Sequence, residues 1–327
     1  MKKIEARIVA DSINSHGDRI TSLLLTFPRF ILPELNTHRV FSKNSASSRA
    51  IPAVKMIQMI KDDPFIPYAW QKNHTGMQGT EYFTNEDSIK YRKEAWIIAK
   101  DNAIRMANKL NNAQNVTKQI TNRLLEPFMW HTVLLTGTNF GNFFELRCPK
   151  YEVSYRLTDE SLYDAVGTAF SRKIAIEADP SLESLTDLDW IMKSESQAEI
   201  HMQLLAEAMY DAIYESEPIR LEDSQWHLPM VKEAEINSHD INDVKKMSVA
   251  RCARLSYATF DNEIDIYKDI QLHDKLLKSK HMSPFEHQAK AMTSEEYKDN
   301  YVVENGSKLN GKVANFKGFI QYRKYVE

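Results

Sequence analysis

His38-Arg39-Val40-Phe41-Ser42-Lys43-Asn44-Ser45-Ala46-Ser47-Ser48-Arg49 is the densest polar constellation in the chain, and it follows closely on the apolar Phe27-Pro28-Arg29-Phe30-Ile31-Leu32. Two arginines, a lysine and several hydroxyls so close together suit a phosphate cradle, because guanidinium forks match phosphate oxygens and short side chains let backbone N–H groups approach an anion. A solvated serine-rich loop has the same composition. Arg147 ends the largely apolar Asn142-Phe143-Phe144-Glu145-Leu146 and so places a guanidinium at the border between packing and pocket, where a snorkelling arginine would also sit.

Other motifs carry less chemistry. Gly306-Ser307-Lys308-Leu309-Asn310-Gly311-Lys312-Val313 nearly spells a P-loop, but Val313 stands where a Ser or Thr must hold magnesium. None of the 10 histidines is paired as H-E-x-x-H, and Glu286-His287 lacks a second histidine one helical turn away, so no metal site is expected. His287 reads by itself as a capping or hydrogen-bonded histidine. Two cysteines, Cys148 and Cys252, supply neither a disulfide framework nor a four-cysteine zinc site, and are expected to be inert free thiols in a reducing compartment.

Taken together, the blocks resemble flavin-dependent thymidylate synthases. That signature runs Arg-His-Arg, two residues, Ser, one residue, Asn, Glu, one residue, Ser, one residue, Arg; here His38, Arg39, Ser42, Asn44, Ser47 and Arg49 stand at that spacing, with Thr37 for the first arginine and Ser45 for the glutamate. Arg123-Leu124-Leu125-Glu126-Pro127, Thr136-Gly137, Asn142-Phe143 through Leu146-Arg147, and Ser196-Gln197-Ala198-Glu199-Ile200 are similar to further family blocks. The last of these follows Arg147 at a long distance, so about 148–194 reads as an insertion. Ala253-Arg254-Leu255-Ser256-Tyr257 and His281-Met282-Ser283-Pro284-Phe285-Glu286-His287 are similar to the family's opening elements, yet they stand near the other end. The order of motifs implies a circularly permuted single domain, 1–327, with 248–292 equivalent to the family's N-terminal part. Permutation is physically permissible where ancestral termini lie close together.

The resemblance implies reductive methylation of dUMP to dTMP, with 5,10-methylenetetrahydrofolate as carbon donor, FAD as hydride carrier and NADPH as reductant. It assigns Ser47, Ser48, Arg49 and Arg123 to the dUMP phosphate and sugar. Arg147 lies against the uracil as the catalytic group, with Ser47 beside it, and His38, Arg39, Asn142 and His287 contact FAD. Glu34 takes the place of a family glutamine that touches the nucleotide; an acid there repels phosphate unless an arginine pairs with it. That substitution motivates a second reading, a pyrimidine nucleotide hydroxymethylase acting on dUMP or dCMP. The resemblance also implies a homotetramer and an α/β (α+β) fold, with helices around a largely antiparallel sheet. A reading of a different class is a non-catalytic nucleotide- or RNA-binding scaffold. It rests on Thr37, Ser45, the insertion and the aromatic-basic tail Phe316-Lys317-Gly318-Phe319-Ile320-Gln321-Tyr322-Arg323-Lys324, which could stack bases or simply form an amphipathic strand.

The elements that must position these residues are partly readable. Residues 4–12 and 20–27 flank the turn-like Ser15-His16-Gly17-Asp18 and predict a hairpin. Ile89, Trp96, Ala103 and Leu110, with Ile97 and Ile104 beside them, predict a long helix over 85–111; Ile200, Leu204, Ala208 and Ala212 predict another ending before Pro218. Residues 117–147 are expected to be mostly helix, 65–85 and 217–247 long loops, and 293–312 a polar stretch around Asn305-Gly306. The composition frames all of this. With 327 residues, 43% hydrophobic and 27% charged, the chain is neither a disulfide miniprotein nor disordered. The 42 Lys+Arg against 45 Asp+Glu leave a net charge of −3, which removes the global reason to expect nucleic acid as a partner. No apolar run approaches the roughly 18 residues of a membrane span, and the charged start Met1-Lys2-Lys3-Ile4-Glu5-Ala6-Arg7 lacks a signal peptide's apolar stretch, so a cytoplasmic location is expected.

Overall fold

The computed structural model describes residues 3–75, 79, 81–156, 164–255, 265–301 and 315–327. The expected hairpin is there: β1 (Glu5–Ile13) pairs antiparallel with β2 (Arg19–Pro28). Its turn closes because Asn14 Oδ1 accepts from the backbone N–H groups of His16 and Asp18, while Gly17 takes φ +84, a conformation that a Cβ would strain. After β2 the chain makes the short α1 (Leu32–Thr37) and the edge strand β3 (Ser42–Ser45), then α2 (Ala53–Asp62) and the long α3 (Glu86–Asn108), capped by Asn85. Next come α4 (Lys118–Thr121), β4 (Trp130–Gly137) and α5 (Gly141–Arg147).

β4 corrects the helical expectation for 117–147. Pro127 lies in a 3-10 segment, Asn122–Phe128, and the apolar run beyond it is a strand buried on both faces, which shows no alternation and so cannot be told from a buried helix by periodicity. The main sheet runs β3-β4-β2-β1-β7, antiparallel except where β1 meets the two-residue β7 (Ile219–Arg220). Leu23, Leu25, Phe27, Val133 and Leu135 face α5 and α8 (Ile200–Tyr214), packing on Phe143, Phe144, Met202, Leu205 and Met209. Leu24 and Leu134, one residue out of phase, pack on Cys252 and Leu255 at the end of α10 (Ile241–Arg254). The result is the expected α/β layering: helices on both faces of an antiparallel-rich sheet.

Between α5 and α8 lie the hairpin β5 (Tyr151–Arg156) and β6 (Asp164–Ala169), α6 (Arg172–Ala178) and α7 (Asp187–Lys193), gathered on a cluster of Tyr151, Val153, Ala169, Ala175 and Trp190. The span 217–247, expected to be loop, holds β7, β8 (Trp226–His227), α9 (Glu233–Ser238) and the first half of α10. α11 (Ile266–Lys278) is tied to α10 by the buried Asp269, which pairs with Arg251 and Arg254. β9 (Ala289–Ala291) stands between β8 and β10 (Phe319–Gln321) in a second, three-stranded sheet, with α12 (Ser294–Tyr301) and α13 (Arg323–Val326) outside it. The near P-loop at 306–313 and the block residues Ser256 and Tyr257 lie outside the described residues.

Glu207 of α8 fastens the 151–193 unit: its carboxylate accepts from the backbone N–H of Arg172 at 2.7 Å and pairs with the Arg172 guanidinium at 3.6 Å. Burial outweighs that pairing and pushes the Glu207 carboxyl up to about 7. An acid raised in this way stabilises the fold fully below its ordinary value and loses that contribution as the pH rises toward 7. Glu207→Gln should therefore gain stability relative to the natural chain by roughly 3 kcal/mol between pH 4.5 and 7. Denaturant melts at a series of pH values measure this, and a pH-independent difference between the two proteins would contradict it.

Candidate functional site

Lys43 to Ala50, which leave β3 and turn along the sheet edge, form one wall of a cavity of about 600 Å³. Arg29, Gln119 and Arg123 form a second wall, and His281 and Ser283, from the turn between α11 and β9, close it. Residues more than two hundred positions apart thus line a single space. Four cations face it: Arg29, Lys43, Arg49 and Arg123. Lys43 Nζ donates to the carbonyls of Leu35 and His38, at 3.1 and 2.9 Å, which binds the cradle to the end of α1. Arg49 is exposed and has no hydrogen-bonding partner among the described residues. Burial lowers the pKa of both Arg29 and Lys43, so these charges are incompletely hydrated and an anion in the cavity would relieve that cost.

Of the residues assigned from sequence, Ser47, Ser48, Arg49 and Arg123 line this cavity together. Arg147, Glu34 and His38 form a neighbouring group instead. Arg147 Nε donates to His38 Nε2 at 3.1 Å, and Arg147 Nη1 lies 3.5 Å from Glu34 Oε2. The first contact makes Nε2 an acceptor and leaves the proton on Nδ1. Burial and the nearby Arg147 and Lys43 lower the His38 pKa in keeping with this. Burial and Glu199 raise the Glu34 carboxyl against the opposing pull of Arg147. Glu34 thus has an arginine as its ion-pair partner. Glu199 itself caps α8, accepting from the backbone N–H groups of His201 and Met202. Thr37, in the place of a signature arginine, donates to the Glu34 carbonyl at 2.6 Å and closes α1.

Arg39 and Asn142 are exposed on either side of a contact between the His38 and Phe143 rings, whose centroids are 4.8 Å apart. Neither has a hydrogen-bonding partner among the described residues, and both suit a polar cofactor laid along this surface. Gly137 serves the same region: a Cβ there would lie 2.6 Å from Cδ1 of Phe41, whose ring packs on Phe143.

His287 is elsewhere. It is fully buried, on the α10 side of the sheet rather than the Arg147 side, and its Nδ1 lies 2.8 Å from Thr136 Oγ1. In this chain the ring faces the Thr136 hydroxyl and is not brought together with His38, Arg39 or Asn142, the other residues that the resemblance assigns to the cofactor. It ends a buried chain in which Thr136 meets Ser22 at 2.6 Å, Ser22 meets His227 at 2.9 Å and His227 meets Ser12 at 2.9 Å. Among the described residues His287 Nε2 has no hydrogen-bonding partner.

Sequence spacing gives no role to Arg29, Gln119, His281 or Ser283. The available signal is position: Arg29 lies in the apolar run just before the cradle, and His281 and Ser283 precede Pro284-Phe285-Glu286-His287. The tail's aromatics are core: Phe316, Phe319 and Tyr322 are all buried, which removes the stacking surface that the scaffold reading drew from the tail. Among the described residues no group of three or more His, Cys, Asp or Glu side chains is placed to hold a metal ion, and no helix is long and apolar enough to cross a membrane.

No protein-family model matches the sequence, and no curated protein matches it. Among solved structures the chain is similar to a UMP/dUMP methylase, PolB from Streptomyces cacaoi. Against the form bound with 5-Br dUMP the TM-score is 0.42 at 13% identity, over 65% of this chain and 90% of that one. Against the form bound with 5-Br UMP it is 0.43 at 13% identity, over 78% and 97%.

Burial pushes His131, His227 and His287 down to about 3, so all three are neutral when folded and take up protons readily only when unfolded. Their contribution is complete above the ordinary histidine value near 6.5 and is lost as the pH falls toward 3. The melting temperature should fall steadily from pH 7 to pH 5, and His227→Asn should flatten that fall. A melting temperature unchanged across this range would contradict the burial of the three rings in neutral form.

Proposed function

We propose that the chain transfers a one-carbon unit to the pyrimidine ring of a deoxynucleotide monophosphate, converting dUMP to dTMP with 5,10-methylenetetrahydrofolate and NADPH. The observation that carries this reading is the cationic cavity, in which the cradle residues Ser47, Ser48 and Arg49 meet Arg123 from another part of the chain. Its volume falls within the range of small-molecule sites. The sequence resemblance to flavin-dependent thymidylate synthases adds the reaction and the cofactor.

Arg49 and Arg123 hold the phosphate, with Ser47 on a remaining oxygen, while Ser48 lines the cavity and gives its hydroxyl proton to Glu126. Arg147 lies against the base and steadies the negative charge that develops on the ring as its C5 becomes nucleophilic. His38, neutral and proton-bearing at Nδ1, keeps the guanidinium in place. Arg39 and Asn142, with His38, hold FAD, which when bound supplies hydride transfer between NADPH and the transferred carbon. No thiol nucleophile takes part: Cys252 is buried and pushed up to about 12, and burial raises Cys148 also. The same reading makes the chain a homotetramer, which light scattering measures.

A second reading within the same chemistry is hydroxymethylation of dUMP or dCMP, and Glu34 favours it. A carboxyl beside Arg147 with a raised pKa is suited to exchange a proton with the water that a hydroxymethyl product requires, as the family's glutamine is not. The two readings differ in redox balance, since the methyl product consumes NADPH and the hydroxymethyl product does not. An anaerobic assay with FAD, NADPH, methylenetetrahydrofolate and dUMP or dCMP, read by product mass and NADPH oxidation, separates them. Arg147→Ala should abolish product while FAD remains bound. Normal turnover in that variant would remove Arg147 from the chemistry.

A further inference from the structure

Glu126 lies behind the cavity rather than in its lining. A single oxygen of its carboxylate, Oε1, accepts from Ser48 Oγ at 2.6 Å and from Arg123 Nη1 at 2.9 Å, and pairs with Arg29 Nη2 at 3.3 Å. The carboxylate therefore joins three lining groups from three separate stretches: the end of β2, the cradle loop and the 3-10 segment before β4. Arg29 is further held at its other end, where Nη1 lies 3.0 Å from His131 Nε2. The cradle backbone is fixed in parallel, since Asn122 Nδ2 donates to the carbonyls of Ser48 and Ile51 and Lys118 Nζ donates to that of Ala50. Arg123 gives one N–H to Glu126 and keeps the rest of its fork for the cavity.

We propose that Glu126 is a positioning residue that sets the cavity's selectivity for a phosphate monoester. It gathers two guanidiniums that would otherwise repel one another, and it fixes the cradle loop so that Ser47 and Arg49 face the same anion as Arg123. Coulomb's law and positioning make opposite predictions here. If Glu126 acted only through its charge, removing that charge beside an anion site would tighten phosphate binding. If it positions, the same change loosens binding, because the arginines lose their common anchor. The inference rests on the proposed use of the cavity as a mononucleotide phosphate site.

The test compares dUMP with deoxyuridine, and adds inorganic phosphate as a probe without a base, by titration calorimetry on the full chain. In Glu126→Gln the preference for dUMP over deoxyuridine should fall by about tenfold or more, while deoxyuridine itself binds as before. A fold damaged in general would weaken both ligands. Ser48→Ala, which breaks only one of the three contacts, should give a smaller loss in the same direction and serves if Glu126→Gln does not fold. An unchanged or tighter preference in both variants, with the natural chain still favouring dUMP, overturns the positioning role and leaves the proposed function standing. No preference for dUMP and no binding of inorganic phosphate in the natural chain overturns both.

Discussion

The structure depends on burying both faces of β4 and β2. Each leucine placed wholly inside contributes on the order of 2 kcal/mol relative to exposure, and these two strands carry Leu23, Leu24, Leu25, Leu134 and Leu135 in alternation to opposite sides. Neither face can be left open, so α5 and α8 must cover one and α10 the other. That requirement brings the C-terminal part of the chain back to the sheet. It also delivers His281 and Ser283 to the edge where β3 ends, with Lys43, Ser47 and Arg49 already there. The cavity is a consequence of how the sheet is covered.

Electrostatics then shape what the packing leaves. The cations around the cavity are not a loose positive patch: Arg49 apart, each has a local job, Lys43 on two carbonyls and Arg123 and Arg29 on Glu126, as Arg147 has in the neighbouring group between Glu34 and His38. Such partners hold the side chains in one geometry before any ligand arrives, which lowers the ordering cost of binding. Ser45 stands where the signature that the chain resembles has a glutamate, and the carboxylate against the cradle comes instead from another stretch, at Glu126.

How much of this was legible in the sequence follows from the range of each interaction. The β1–β2 hairpin and the α3 and α8 helices were readable because turn chemistry and helical periodicity act over a few residues. β4 was not, because a strand buried on both faces has no alternation to read. The cradle was visible as a cluster of types, and Arg123 and Arg147 through the motifs around them. His281 and Ser283 were not assignable, since only the return of the chain puts them at the cavity. The position of His287 could not be foreseen either: its Pro-Phe-Glu-His block reads identically whether the ring faces a ligand or, as here, a threonine on a central strand.

The hydrogen-bonded row from Ser12 through His227, Ser22 and Thr136 to His287 has one more property. Each hydroxyl has a single proton, and each neutral imidazole has one across its two nitrogens. Two proton arrangements satisfy every link in a single direction, one running from Ser12 to His287 and the other back, and the direction can change only at Ser22 or Thr136, where a hydroxyl accepts from both sides and turns its own proton off the row. In either single-direction arrangement the five groups reverse together, so the outer nitrogen of His287 carries a proton when Ser12, two strands away, donates and none when it accepts.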